Sequence, residues 1–142
     1  MKRFLGLITS LLLTCLTVCG QTDKPLRIFI RAGPKTHGPG AHDWPSFLRD
    51  WKILLAQRGA IVDGAIGFPT DEQLENTDVI VMCAQNAGSI HGAQRAALER
   101  FLKRGGGMVV IHDGIASDDP DWFKTVVGGA SKMTMDGKPM KM

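Results

Sequence analysis

The sequence predicts an α/β protein built on a doubly wound parallel sheet with helices on both faces, a three-layer α/β/α sandwich. Three observations carry this. Four short apolar runs alternate with stretches of helical spacing, and such β-α alternation builds a parallel sheet. Met108-Val109-Val110-Ile111 is continuous rather than alternating, as in a strand covered on both faces. Helix start and stop residues fall at the junctions between runs. Right-handed crossovers make the doubly wound arrangement the default topology.

The elements follow in order. Leu26–Ile30 is the first strand, with Arg27 near an end or edge. The loop from Arg31 to Asp43 is broken by Gly33, Pro34, Gly38, Pro39 and Gly40 and carries His37 and His42. From Trp44 to Arg58, Phe47, Leu48, Trp51, Leu54 and Leu55 recur at the spacing of an amphipathic helix. Pro45 suits its first turn and Gly59 its end. Ala60–Asp63 is a short second strand, and Thr70–Gln73 has the form of a capping box. Asp78–Ala84 is the third strand, followed by a loop from Gln85 to Gly92 that contains His91. Ala93–Arg104 is a helix with Leu98, Phe101 and Leu102 facing inwards, stopped by Gly105-Gly106-Gly107. Met108–Ile111 is the fourth strand, and His112 and Asp113 follow it directly. A last helix starts at Asp118–Phe123, capped by Asp with Pro120 in its first turn, and stops at Gly128-Gly129. Ser131–Met142 has no apolar periodicity and is expected to be an unstructured tail. With strand order 2-1-3-4, the fourth strand becomes an uncovered edge, open to pairing with a second copy.

The 142 residues suffice for one domain. Met1–Gly20 has the form of a signal peptide: Lys2 and Arg3, then an apolar run to Val18, then a small-residue cleavage site. Export to the periplasm or the exterior is the expectation. A lipid anchor at Cys19 is the lesser alternative, and the run is short for a spanning helix. Removing Lys2 and Arg3 takes the formal charge from +3 to +1, which gives no electrostatic case for nucleic acid or an anionic membrane. Of Cys15, Cys19 and Cys83, only the last would remain. It sits in an apolar run and reads as a small buried hydrophobe.

Open α/β sheets place ligands at the carboxyl ends of their strands, near the topological switch point. The loops after the first, third and fourth strands share that side. His37, His42, Asp43, Gln85, Asn86, His112 and Asp113 are therefore expected to converge on one crevice. Histidine and aspartate there can act as general acid and base, with His112, Asp113 and His42 as the catalytic candidates. His37, Asp43, Gln85 and Asn86 are the substrate-binding candidates. No cofactor is required by any motif, and a divalent metal such as zinc is an alternative use of the same residues. His91 reads as structural. Gly105–Gly107 precedes a strand and so is no phosphate loop. No nucleophile elbow is present, and Ser117 has no such context.

Several segments together resemble the ThuA-like, trehalose-utilisation domain. They are Ile30–Asp43 with its two histidines, Asp78–Met82, Phe101–His112 with its helix-GGG-strand-His order, and Trp122–Ala130. The resemblance spans about residues 26–130. It implies the class I glutamine-amidotransferase-like variant of the flavodoxin-like fold, here with four visible strands. It also implies a carbohydrate as the small-molecule partner, with sugar or keto-sugar chemistry. Amidotransferases end the corresponding strand in a cysteine nucleophile. His112 stands in about that place, so amidotransfer is not implied. ThuA-like domains continue beyond the Gly-Gly-Ala with further strands. The replacement of that half by Ser131–Met142 leads to the expectation of a truncated copy. The alternatives to an enzyme are a non-catalytic carbohydrate-binding or assembly domain and an inactive remnant.

Overall fold

The computed structural model describes residues 24–132, 134–135 and 138–139. The leader expected over residues 1–20 lies outside them. Among the described residues, no helix is long and apolar enough to cross a membrane.

The elements are β1 (Arg27–Ala32), α1 (Trp44–Ala56), β2 (Ile61–Ile66), α2 (Asp71–Glu75), β3 (Val79–Cys83), α3 (Gly92–Lys103) and β4 (Gly107–Val110). A 3-10 turn (His112–Ile115), β5 (Ala116–Ser117) and α4 (Pro120–Val127) complete the layers. The main sheet has the order β2-β1-β3-β4 with every pair parallel. This is the α/β fold with the strand order expected from the sequence.

Side chains of β3 alternate between two cores, which is why its sequence is apolar without interruption. Ile80 and Met82 pack with Leu98, Phe101 and Phe123 on the α3 and α4 side. Val81 and Cys83 pack with Ile28, Ile30 and Trp44 on the α1 side. Burial pushes the Cys83 thiol up to about 12, so at neutral pH it stays protonated and inert.

The helix ends follow from their residues. Asp43 caps α1 by accepting the Ser46 N–H at 3.2 Å. Thr70 and Gln73 form both bonds of the capping box, at 3.2 and 2.9 Å. After α3, the Gly106 N–H reaches back to the Phe101 carbonyl and the Gly105 N–H to that of Leu102. With Gly105 at φ 96°, this is a Schellman stop, and the three glycines have the role their position predicts.

Four features depart from expectation. The second strand runs on to Ile66, because Gly64 lets it lie close to its neighbours. A Cβ there would stand 2.5 Å from Leu48 and 2.6 Å from the Ile30 carbonyl oxygen. The fourth strand is not covered on both faces: Val109 is 47% exposed. Helix α1 packs on β1 and β2, leaving the outer side of β4 without a cover among the described residues. Trp51, expected to face inwards from α1, is 37% exposed and stacks on Phe47 instead, with ring centroids 4.9 Å apart. The expected unstructured tail carries short pairings. Ser131–Lys132 (β6) lies parallel to β5, and Thr134–Met135 (β7) pairs antiparallel with Lys138–Pro139 (β8). Two-residue pairings of this kind leave no period in the sequence.

Candidate functional site

The end of β4 sets the site. The Ile111 N–H still donates to the Met82 carbonyl at 3.0 Å, so His112 follows the last ladder bond. The chain then turns sharply, with His112 at φ 53°. Gly114 lets the turn close on β3, since a Cβ there would lie 2.8 Å from the Met82 carbonyl oxygen. The loop after β1 approaches from the other side and presents His42, itself at φ 46°. The third non-glycine residue with positive φ, Asn86 at 54°, lies in the loop after β3. Such conformations cost about 1–3 kcal/mol each and cluster where a site over-determines the backbone. Here all three lie at the carboxyl ends of neighbouring strands.

The histidines converge. The His37 and His42 rings meet edge to face at 4.2 Å, and those of His42 and His112 at 5.2 Å. Asp113 stands between the last two. Its Oδ1 is 3.1 Å from His112 Nδ1 and its Oδ2 is 3.5 Å from His42 Nε2. On its other edge, His42 Nδ1 lies 3.5 Å from the Thr36 hydroxyl, which also sits 3.0 Å from His37 Nδ1. Trp44 forms the floor, stacked on His42 at 5.2 Å. The resulting open crevice has a volume of about 290 Å3 and is lined by His42, Asp43, Trp44, Phe47 and His112. A larger hollow of about 500 Å3 beside Lys24, Arg27, Ile61 and Asp78 lies at the amino ends of the strands and holds no histidine.

Of the residues expected at the site, His37, His42, His112 and Asp113 come together. Asp43 lines the crevice, but its carboxylate is engaged: it caps α1 and pairs with Lys35 at 3.7 Å. The Ser46 backbone N–H, foremost, holds this carboxyl below the usual range. Gln85 and Asn86 lie at the end of β3, and no side-chain hydrogen bond joins them to the histidines among the described residues. His91 is apart from the group, hydrogen-bonded to Asp118 at 2.9 Å.

Sequence reasoning missed Trp44, Phe47 and Thr36. Trp44 and Phe47 carried a helix-start and a core signal that hid their second role. Thr36, one residue before His37, offered adjacency as its only cue. Arg31 was also missed. Its guanidinium donates to the Ala87 carbonyl and lies 5.4 Å from the centre of the Phe68 ring. Burial lowers its pKa to about 10, and it forms no ion pair among the described residues. Its Nε and the Trp44 Nε1 are buried without a hydrogen-bond partner.

The fold and site can be set beside known proteins. A family model described as ThuA, trehalose utilisation, matches residues 57–141, more than half of the chain and most of its tail. The β1 loop with His37 and His42 precedes the matched stretch. A solved structure of a ThuA-like protein from Bacteroides uniformis ATCC 8492 aligns with a TM-score of 0.59 at 23% identity, covering 75% of this chain. The chain spans 45% of that protein's length. No curated protein matches. The alternating sheet, its strand order and the family match agree, and the chain belongs to the ThuA, trehalose-utilisation family.

Proposed function

We propose that the chain is an exported carbohydrate-utilisation domain that handles a sugar or keto-sugar of the trehalose type at the crevice between the β1 and β4 loops. The observation that carries this reading is the convergence of His42, His112 and Asp113 over the Trp44 floor. A floor of aromatic rings with a few polar groups around it suits a small polar ligand with apolar ring faces. His112 is 59% exposed at its side chain and can reach a substrate hydroxyl. Asp113 beside Nδ1 steadies the ring, leaving Nε2 to give or take a proton. His42 completes the acid/base group, and His37, with Gln85 and Asn86 from the next loop, contacts the rest of the sugar. General acid–base catalysis of this kind contributes about 100-fold or more.

The test is binding and turnover of oxidised trehalose-type disaccharides by the wild type and His112→Ala, in the presence of a chelator. Turnover should fall about 100-fold or more in the variant. Equal turnover in the two proteins removes His112 from the mechanism.

A second reading, a non-catalytic assembly domain, is favoured by the edge of β4, which has no neighbouring strand beyond it among the described residues. A hollow of about 370 Å3 lies beside that edge on the α3 and α4 side of the sheet, lined by Leu102, Met108, Val110, Ile115, Val126 and Val127. Size-exclusion chromatography with light scattering separates the readings, since a clean, stable monomer argues against edge pairing.

A further inference from the structure

We infer that His42, His112 and Asp113 form a binding site for a divalent first-row transition-metal ion, zinc being the ion of choice for the test. The inference uses the crevice of the sugar reading but stands without it. One donor atom from each of the three residues lies within 4.8 Å of the others. Metal–ligand bonds of about 2.0–2.2 Å at a tetrahedral centre put ligand atoms about 3.3 Å apart. The two closest approaches, 3.1 Å from His112 Nδ1 to Asp113 Oδ1 and 3.5 Å from His42 Nε2 to Asp113 Oδ2, one to each carboxylate oxygen, bracket that value.

Orientation supports the ion over a plain His–Asp network. At 2.9 Å, His91 and Asp118 make an aligned hydrogen bond. The two contacts of Asp113 are close without being aligned as hydrogen bonds. The second edge of His42 is occupied as a ligand's would be. Its Nδ1 sits by the Thr36 hydroxyl, which directs Nε2 towards Asp113. Metal-bound histidines commonly have such an outer partner fixing the ring.

The donor set also limits the ion. Two imidazoles and one carboxylate suit zinc and its neighbours, while calcium and magnesium take oxygen ligands. The side chains supply three donors. A fourth position remains open towards the crevice, as in sites that receive a substrate or water. In the loaded form His112 is a ligand, and a sugar oxygen can occupy the open position. The strained backbone at His42 and His112 has the same explanation, because both residues must turn inwards from opposite loops.

The experiment is a zinc titration of the full chain after exhaustive dialysis against chelator, read by competition with a chromophoric chelator. One equivalent of zinc should bind. Alanine at His42, His112 or Asp113 should weaken binding by at least about 100-fold, and Thr36→Val by about 10-fold. His91→Ala should bind as the wild type does. Because a variant can lose its fold, cobalt(II) is also added to the wild type. Absorption of four- or five-coordinate intensity supports the site, and the weak six-coordinate spectrum of the aqueous ion overturns it. Zinc binding that survives all three alanine substitutions also overturns it. Sugar binding measured in chelator is independent of these outcomes, so either reading can fail alone.

Discussion

Two His–Asp groups lie at the carboxyl side of this sheet, and they are built differently. His91 and Asp118 make an aligned hydrogen bond at 2.9 Å inside a satisfied network. Ser117 donates to the Gly88 carbonyl at 2.8 Å and accepts from the Asp119 N–H, and the Asp118 N–H is held by Ser89. Arg95 pairs with Asp119 at 2.7 Å and lies 3.9 Å from the centre of the Trp122 ring. These bonds join the two segments, and the network pins the β3–α3 loop to the start of α4. The His42–His112–Asp113 group brings together three polar side chains on two loops, holds two of its backbones at positive φ, and stacks on a tryptophan whose N–H is orphaned. A satisfied network maintains a loop. Groups brought together at a conformational cost, with bonding capacity left over, are what a ligand site requires.

Breaking the pinned side should have the largest effect on stability. In Gly88→Ala the new Cβ would stand 2.4 Å from the Phe123 ring and 2.9 Å from the Ala116 carbonyl oxygen. We expect a loss of about 1–3 kcal/mol in denaturant unfolding. On the other side the sign should reverse. His112→Gly relieves the positive φ and should stabilise the fold by up to about 1 kcal/mol while removing function. A clear loss of stability instead would mean that His112 is a packing residue. His91→Ala should cost only about 0–1 kcal/mol, since the pair is largely exposed.

Acid sharpens the same contrast by a smaller amount. Arg95, foremost, and the Trp122 N–H hold the Asp119 carboxyl below its usual range, and Arg27 does the same for Asp78. A depressed folded pKa gives stability that is present above the unfolded value of about 3.9 and is lost as the pH falls through the folded one. Thermal unfolding should therefore change little from pH 7 to 5 on account of these groups and weaken below about pH 4.

Much of the fold was legible because its causes are local. The Thr70–Gln73 box, the Gly105 stop and the Asp-Pro start of α4 are each fixed by neighbouring residues, and the unbroken apolar run of β3 records its two cores. The convergence of His37, His42 and His112 was legible through topology, since parallel strands deliver their loops to one side. What stayed hidden depends on contacts distant in sequence. Nothing local shows that Val109 lacks a cover, that Gly64 continues a strand past Leu48, or that Trp44 serves both the core and the crevice. The positive φ of His42 and His112 is equally silent, because histidine is not the residue that sequence reading associates with that conformation.

The two groups are thus expected to have different duties. The most direct test is calorimetric titration of an oxidised trehalose-type disaccharide into the wild type, His91→Ala and His112→Ala, each shown to be folded and each in chelator. The account predicts that His91→Ala binds as the wild type does and that His112→Ala loses binding by at least about 10-fold, the loss of one or more hydrogen bonds to the ligand. Wild-type affinity in His112→Ala, or a loss confined to His91→Ala, contradicts it.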